Sequence, residues 1–90
     1  MGIKLSQDVI KALKKIRKKD KKLANRVEKQ LSLFQNNPKH PSLRLHKLTG
    51  NFENRWSISI TINVRMVYLK LEENVAYFIA IGTHDQVYRK

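Results

Sequence analysis

The sequence contains no cysteine, which excludes disulfides and thiolate metal sites. A small domain that does without either fits a reducing compartment, and a cytoplasmic location is expected. No apolar stretch approaches the roughly 20 residues needed to cross a bilayer, and no signal-peptide pattern is visible, so no membrane partner is expected. The opening MGIKLS has the M-G-x-x-x-S form of an N-myristoylation site. Ile3 and Leu5 alternate around Lys4, however, and a short first strand is the preferred reading. Acidic residues are also scarce: 7 against 19 Lys and Arg, for a net charge of +12. Such a surface attracts polyanions over about a Debye length, ~8 Å at physiological salt, with nucleic acid as the favoured partner class. There is no internal repeat and no dividing linker. Residues 1–90 are therefore expected to form one domain, with the limited core of a chain this short.

What is present changes period along the chain. Ser6 can cap a helix, with Asp8 in its first turn, and Leu5, Val9, Ile10, Leu13 and Ile16 then form one apolar stripe. Asp20 can cap a second helix carrying Leu23, Ala24, Val27, Leu31 and Phe34, which the proline of NNP at 36–38 ends. Residues 39–54 read as a connector with turns at Pro41 and Gly50, in which Leu43, Leu45 and Lys47 alternate like a strand. In RWSISITIN, Trp56, Ile58, Ile60 and Ile62 are expected on one face; Ser57, Ser59, Thr61 and Asn63 fall on the other. VRMVYLKL and VAYFIAIG are further strands joined at EEN, the last apolar enough to lie centrally. The expected fold is α+β: a short first strand, a helical hairpin, then a twisted antiparallel sheet.

Several residues carry chemistry. Positions 11 to 22 hold eight basic residues and one acid, a surface for a polyanion or an acidic partner. The three histidines lack metal-ligand spacing, so neither a metal nor another cofactor is expected. His40 beside Pro41 reads as plain surface, whereas His46 and His84 flank turns at the sheet edge. Arg65 interrupts an apolar strand and must face outward, because a guanidinium in a core is costly. A polar sheet face bearing Ser59, Arg65 and Lys47 with a histidine on either side suits RNA cleavage through the substrate's own 2′-OH. That reaction needs a base, an acid and cations around the phosphorane, and histidine, whose ordinary pKa lies near 6.5, serves at either end. Phe52, Trp56, Tyr77 and Phe78 invite a base-stacking role, but the last three sit where aromatics build core. Tyr88, four residues past His84, is the exception.

LHKLTGNFENRWSISITINVRMVYL followed by IGTHDQVYR resembles the RelE/ParE superfamily of bacterial type II toxins, most of all the YafQ branch and RelE-type plasmid-stabilisation toxins. The resemblance covers nearly the whole chain, and its H-x-L-x-G…G-T-H-x-x-x-[YF] combination is its specific part. It implies a microbial-ribonuclease-like fold, mRNA cleavage on the ribosome and neutralisation by a cognate antitoxin. By position, His84 and His46 match the active-site histidines, Arg65 the phosphate-stabilising arginine and Tyr88 the terminal aromatic. Lys47 lies near the basic substrate-gripping segment. Where YafQ-like enzymes carry a further histidine and an aspartate, this chain has Ser59 and Asn63, neither a proton carrier at neutral pH. Ser59, Asn63 and Arg89 are then expected to contact substrate beside the catalytic His46, His84 and Arg65. The rival readings are a ParE-like gyrase inhibitor and a catalytically silent nucleic-acid or partner-binding module on the same fold. ParE-like members generally lack the histidine and terminal tyrosine set.

Overall fold

A computed structural model describes residues 1–48 and 54–88. The expected turn at Gly50, the stacking candidate Phe52, and Arg89 with Lys90 lie outside the described residues. The chain runs through β1 (Gly2–Leu5), α1 (Gln7–Lys19), α2 (Lys21–Asn36), a 3-10 turn (Pro41–Leu43), β2 (His46–Lys47), β3 (Arg55–Ser59), β4 (Val64–Glu72), β5 (Val75–Thr83) and α3 (His84–Tyr88).

Both helix starts are set by the residues that the sequence marks. Ser6 Oγ accepts from the Val9 amide at 3.1 Å and Asp20 Oδ1 from the Leu23 amide at 3.0 Å. Each satisfies one of the amide donors left unpaired in a first helical turn. The hairpin lays its apolar stripes on one face of a five-stranded sheet ordered β1-β5-β4-β3-β2. The sheet is antiparallel from β2 through β5, and β1 adds in parallel to β5. Parallel addition is possible because the helical hairpin leads the chain away from β1 before the sheet is built. β5 thus lies between β1 and β4, and β4 is the central strand.

Phe34 of α2 reaches the middle of the core. It meets Tyr68 and Phe78 edge-on, with ring centroids 5.2 and 5.6 Å away, and Tyr68 and Phe78 are themselves 5.2 Å apart. Such pairs contribute about 0.5–1.5 kcal/mol each beyond the area they bury. The Trp56 ring packs at the margin of this core, as expected of a strand aromatic.

Two features of the β3–β4 region differ from the simple alternation. β3 stops at Ser59, and residues 60 to 63 form a turn in which Ile62 is 80% exposed instead of joining Ile58 and Ile60 in the core. Thr61 causes the reversal: its Oγ1 accepts from the amides of Asn63 and Val64 at 3.2 and 3.0 Å, the local capping at which threonine competes with strand geometry. α2 then pins the turn. Arg26 Nε donates to the Ile60 carbonyl at 2.9 Å, and the buried Gln30 amide donates to the Ser59 carbonyl at 2.9 Å. The Leu43–Lys47 stretch is also not one strand. Leu43 is fully buried at the end of the 3-10 turn, and Arg44 takes a left-handed conformation (φ 46°) that swings the chain into the two-residue β2. His40 caps that turn, its Nδ1 accepting from the Ser42 amide at 3.1 Å, so its role is structural.

Candidate active site

Register decides which side chains share a face. Directly opposed residues in antiparallel strands point the same way. His46 opposes Ser57, Ser57 opposes Val67, Ser59 opposes Arg65, and Arg65 opposes Gly82. These positions occupy the sheet face away from the helical hairpin. Lys47 opposes Trp56 and falls on the helix side, where its ammonium lies 5.6 Å from the centre of the Trp56 ring. The expected grouping of Lys47 with Ser59 and Arg65 is therefore corrected: one residue's shift along a strand reverses the face.

The open face is capped by α3. Buried Val87 packs with Leu48 and Val67 in a small second cluster, against which Ile79, Ala80 and Tyr88 also rest. The start of α3 is fixed by T-H-D-Q, a capping box. The Thr83 amide donates to Gln86 Oε1 at 2.8 Å, and the Gln86 amide reaches back to Thr83 Oγ1 at 3.4 Å. Gly82 makes this possible, since a Cβ there would stand 2.6 Å from Gln86 Oε1. His84 is then the first residue of the helix, with its side chain 69% exposed and its Nδ1 3.8 Å from Asp85 Oδ1. An exposed pair at that distance adds little stability.

Helical spacing brings Tyr88 one turn beyond His84, and the two rings meet edge to face with centroids 4.1 Å apart. The Tyr88 hydroxyl hydrogen-bonds Ser57 Oγ at 2.7 Å, and Ser57 is completely buried. His84–Tyr88 is thus a docked helix, and Tyr88 is held from both ends.

His46, Arg65, His84 and Tyr88, together with Arg44 and Leu45, line one depression of about 400 Å³. Four residues marked in the sequence meet here from β2, β4 and α3. Arg44 is an addition. Strand alternation does not announce it, because Arg44 reaches the depression from a left-handed conformation at the end of the 3-10 turn. Ser59 stands on the correct face but does not line the depression. It is only 6% exposed, and its hydroxyl donates to the Thr61 carbonyl at 2.8 Å, a bond that stabilises the turn. Asn63 sits in the β3–β4 turn and lines a neighbouring depression of about 300 Å³ with Ile62, Arg65, Thr83, His84 and Asp85. Among the described residues, no group of three or more His, Asp or Glu is placed to hold a metal ion.

A family model for "Bacterial toxin of type II toxin-antitoxin system, YafQ" matches residues 1–89. The chain belongs to the YafQ toxin family. It is therefore a toxin of the type II toxin-antitoxin class. Among curated proteins, none matches the chain in sequence. Solved structures of the same fold include YafQ from E. coli strain BL21(DE3), at 21% identity and TM-score 0.74, with 96% of each chain covered. YafQ in the E. coli DinJ–YafQ complex gives 20% identity and TM-score 0.76, again with 96% of each chain covered. A YoeB/ParE toxin from Agrobacterium tumefaciens gives 17% identity and TM-score 0.76, covering 93% of this chain and 99% of that one. The hairpin-on-sheet fold of this YafQ-family toxin is thus shared across neighbours of low identity.

Proposed function

We propose that this YafQ-family toxin is a ribosome-dependent mRNA endoribonuclease that cleaves through the substrate's own 2′-OH. The observation that carries the reading is the meeting of His46, His84, Arg65 and Tyr88 in one depression. Two imidazoles at the margins of a single cleft can divide the proton transfers of transesterification between them. In this mechanism His46 takes the proton from the 2′-OH, which attacks the adjacent phosphorus. The P–O5′ bond then breaks as His84 gives its proton to the leaving oxygen. Arg65 and Arg44 neutralise the charge that builds on the phosphorane, a role in which planar guanidinium forks suit phosphate oxygens. Tyr88 packs against the ribose or base.

The partners in this reading are the ribosome with its mRNA, a cognate antitoxin and no membrane, in the cytoplasm. A structural neighbour is a complex of YafQ with DinJ, and a net charge of +12 favours an antitoxin with an acidic contact surface.

The test is to add the purified protein to translating ribosomes and map the ends of the mRNA. New ends should appear with wild type and fall by about 10²–10⁴-fold with His84→Ala. The same substitution should abolish growth arrest on expression. Intact mRNA with wild type, or a His84→Ala variant as toxic as wild type, would sink the assignment.

A further inference from the structure

We propose that the depression between the β3–β4 turn and the start of α3 is a nucleobase subsite that selects guanine next to the cut phosphate. The inference rests on the endoribonuclease reading and deepens it. The two depressions on the open face share Arg65 and His84 as a common wall. A phosphate held at that wall has one nucleotide on either side, and each falls towards one of the two depressions.

The two sides differ in charge. Among the described residues, one carries Arg44 and His46 in addition to the shared residues; the other carries Asp85 and Asn63 and adds no further cation. A carboxylate repels phosphate and accepts hydrogen bonds from N–H groups, so the second depression suits a base edge. Bases in single-stranded RNA are read on their Watson–Crick edges. Guanine presents its N1–H and N2–H donors side by side there, matching the two oxygens of one carboxylate. Adenine and cytosine present an amino donor beside an acceptor, and uracil a single imino donor between two carbonyls. The Asp85 side chain is 79% exposed and approaches His84 Nδ1 at 3.8 Å, so its oxygens are reachable.

The opposite wall is firm. Ile62 is 80% exposed, yet its turn is fixed by Thr61 from within and by Arg26 and Gln30 from α2. It offers an apolar surface to the face of a base, and the Asn63 carboxamide adds a donor and an acceptor beside it. At about 300 Å³, the depression is at the small end of ligand sites, a size for one base and not for a folded motif.

The experiment maps mRNA cut sites on translating ribosomes for wild type, Asp85→Asn and Ile62→Ser. Wild type should show guanine enriched at one position beside the cut. Asp85→Asn should lower that enrichment about tenfold, within the range for losing one bidentate base contact. Ile62→Ser should slow cutting at all sites and leave the guanine enrichment in place. A base profile unchanged in Asp85→Asn overturns the subsite. Failure of the parent reading is separable, because it appears as no cutting by wild type. In that case the subsite is judged by titrating ¹⁵N-labelled wild type with 2′-O-methylated, uncleavable GpA and ApA. Amide shifts at Ile62, Asn63 and Asp85, stronger with GpA, support it. No shifts at these residues, or equal shifts with both dinucleotides, overturn it.

Discussion

Tyr88 lies between His84 and Ser57: its ring meets the imidazole edge to face at 4.1 Å, and its hydroxyl meets the buried serine at 2.7 Å. A residue of α3 is thereby tied to the middle of β3, and the position of the exposed histidine depends on a serine that no solvent reaches. The pair should therefore behave as a unit. Tyr88→Phe leaves a buried hydroxyl without its partner and should cost about 1–2 kcal/mol in urea unfolding. Ser57→Ala should cost less, because the Tyr88 hydroxyl is nearer solvent. In the double variant the losses should fall short of their sum by about 1 kcal/mol. Additive losses would show that the hydrogen bond is not formed in solution.

Arg44 and Lys47 are three residues apart but on opposite faces of the sheet. Arg44→Gln should lower RNA cleavage by tenfold or more with unfolding unchanged. Lys47→Ala should leave cleavage within about twofold and cost roughly 0.5–1 kcal/mol of stability through the lost contact with Trp56. Parallel measurements of mRNA cutting and urea midpoint on the two variants check the pattern; the reverse ranking would place Lys47 at the substrate.

Gly82→Ala introduces a Cβ where Gln86 Oε1 now sits, 2.6 Å away. The glutamine must leave, and the capping box that orients His84 goes with it. The variant should lose about 1 kcal/mol, as for a lost helix cap, and most of its cleavage. Gln86→Ala alone should lose about as much, and the double variant little more than either, because both changes remove the same cap. Thermal melts and mRNA cleavage on the single and double variants test this.

Burial pushes the Tyr68 hydroxyl up to about 12 from its ordinary value of 10. The folded state holds this proton more tightly than the unfolded chain does. Its contribution is complete below pH 10 and is lost as the pH rises from 10 through about 12. Tyr68→Phe should therefore flatten the alkaline fall of stability over that window, beyond any shift common to the lysines. Urea midpoints from pH 8 to pH 12 measure it.

Much of this was legible in the sequence because local chemistry and tertiary structure agree. Ser6 and Asp20 announce the helix starts, and the i, i+3, i+4 stripes announce the buried faces. His84 and Tyr88 are spaced to meet on one helical turn. The errors lie where register decides. Lys47 looked like a neighbour of Arg65, but facing depends on a pairing with Trp56 that composition does not specify. Ser59 looked exposed because polar residues alternate through ISITIN, whereas Thr61 ends the strand and α3 covers Ser57. Arg44 was passed over because its left-handed conformation at the end of a 3-10 turn has no distinctive sequence sign. The capping box was readable in T-H-D-Q, but only once the terminal segment was taken as helix.

The parallel pairing of β1 with β5 has a consequence for the time course of synthesis. Gly2–Leu5 is made well before its neighbour in the sheet, Val75–Phe78. Until that distant strand exists, the first strand has no ladder to join and the hairpin has no completed sheet to cover. Contacts of such long sequence separation form late. Thr83, His84 and Tyr88 come later still, so a nascent chain cannot carry an assembled cleft. The topology thus ties assembly of the depression to completion of the sheet behind it.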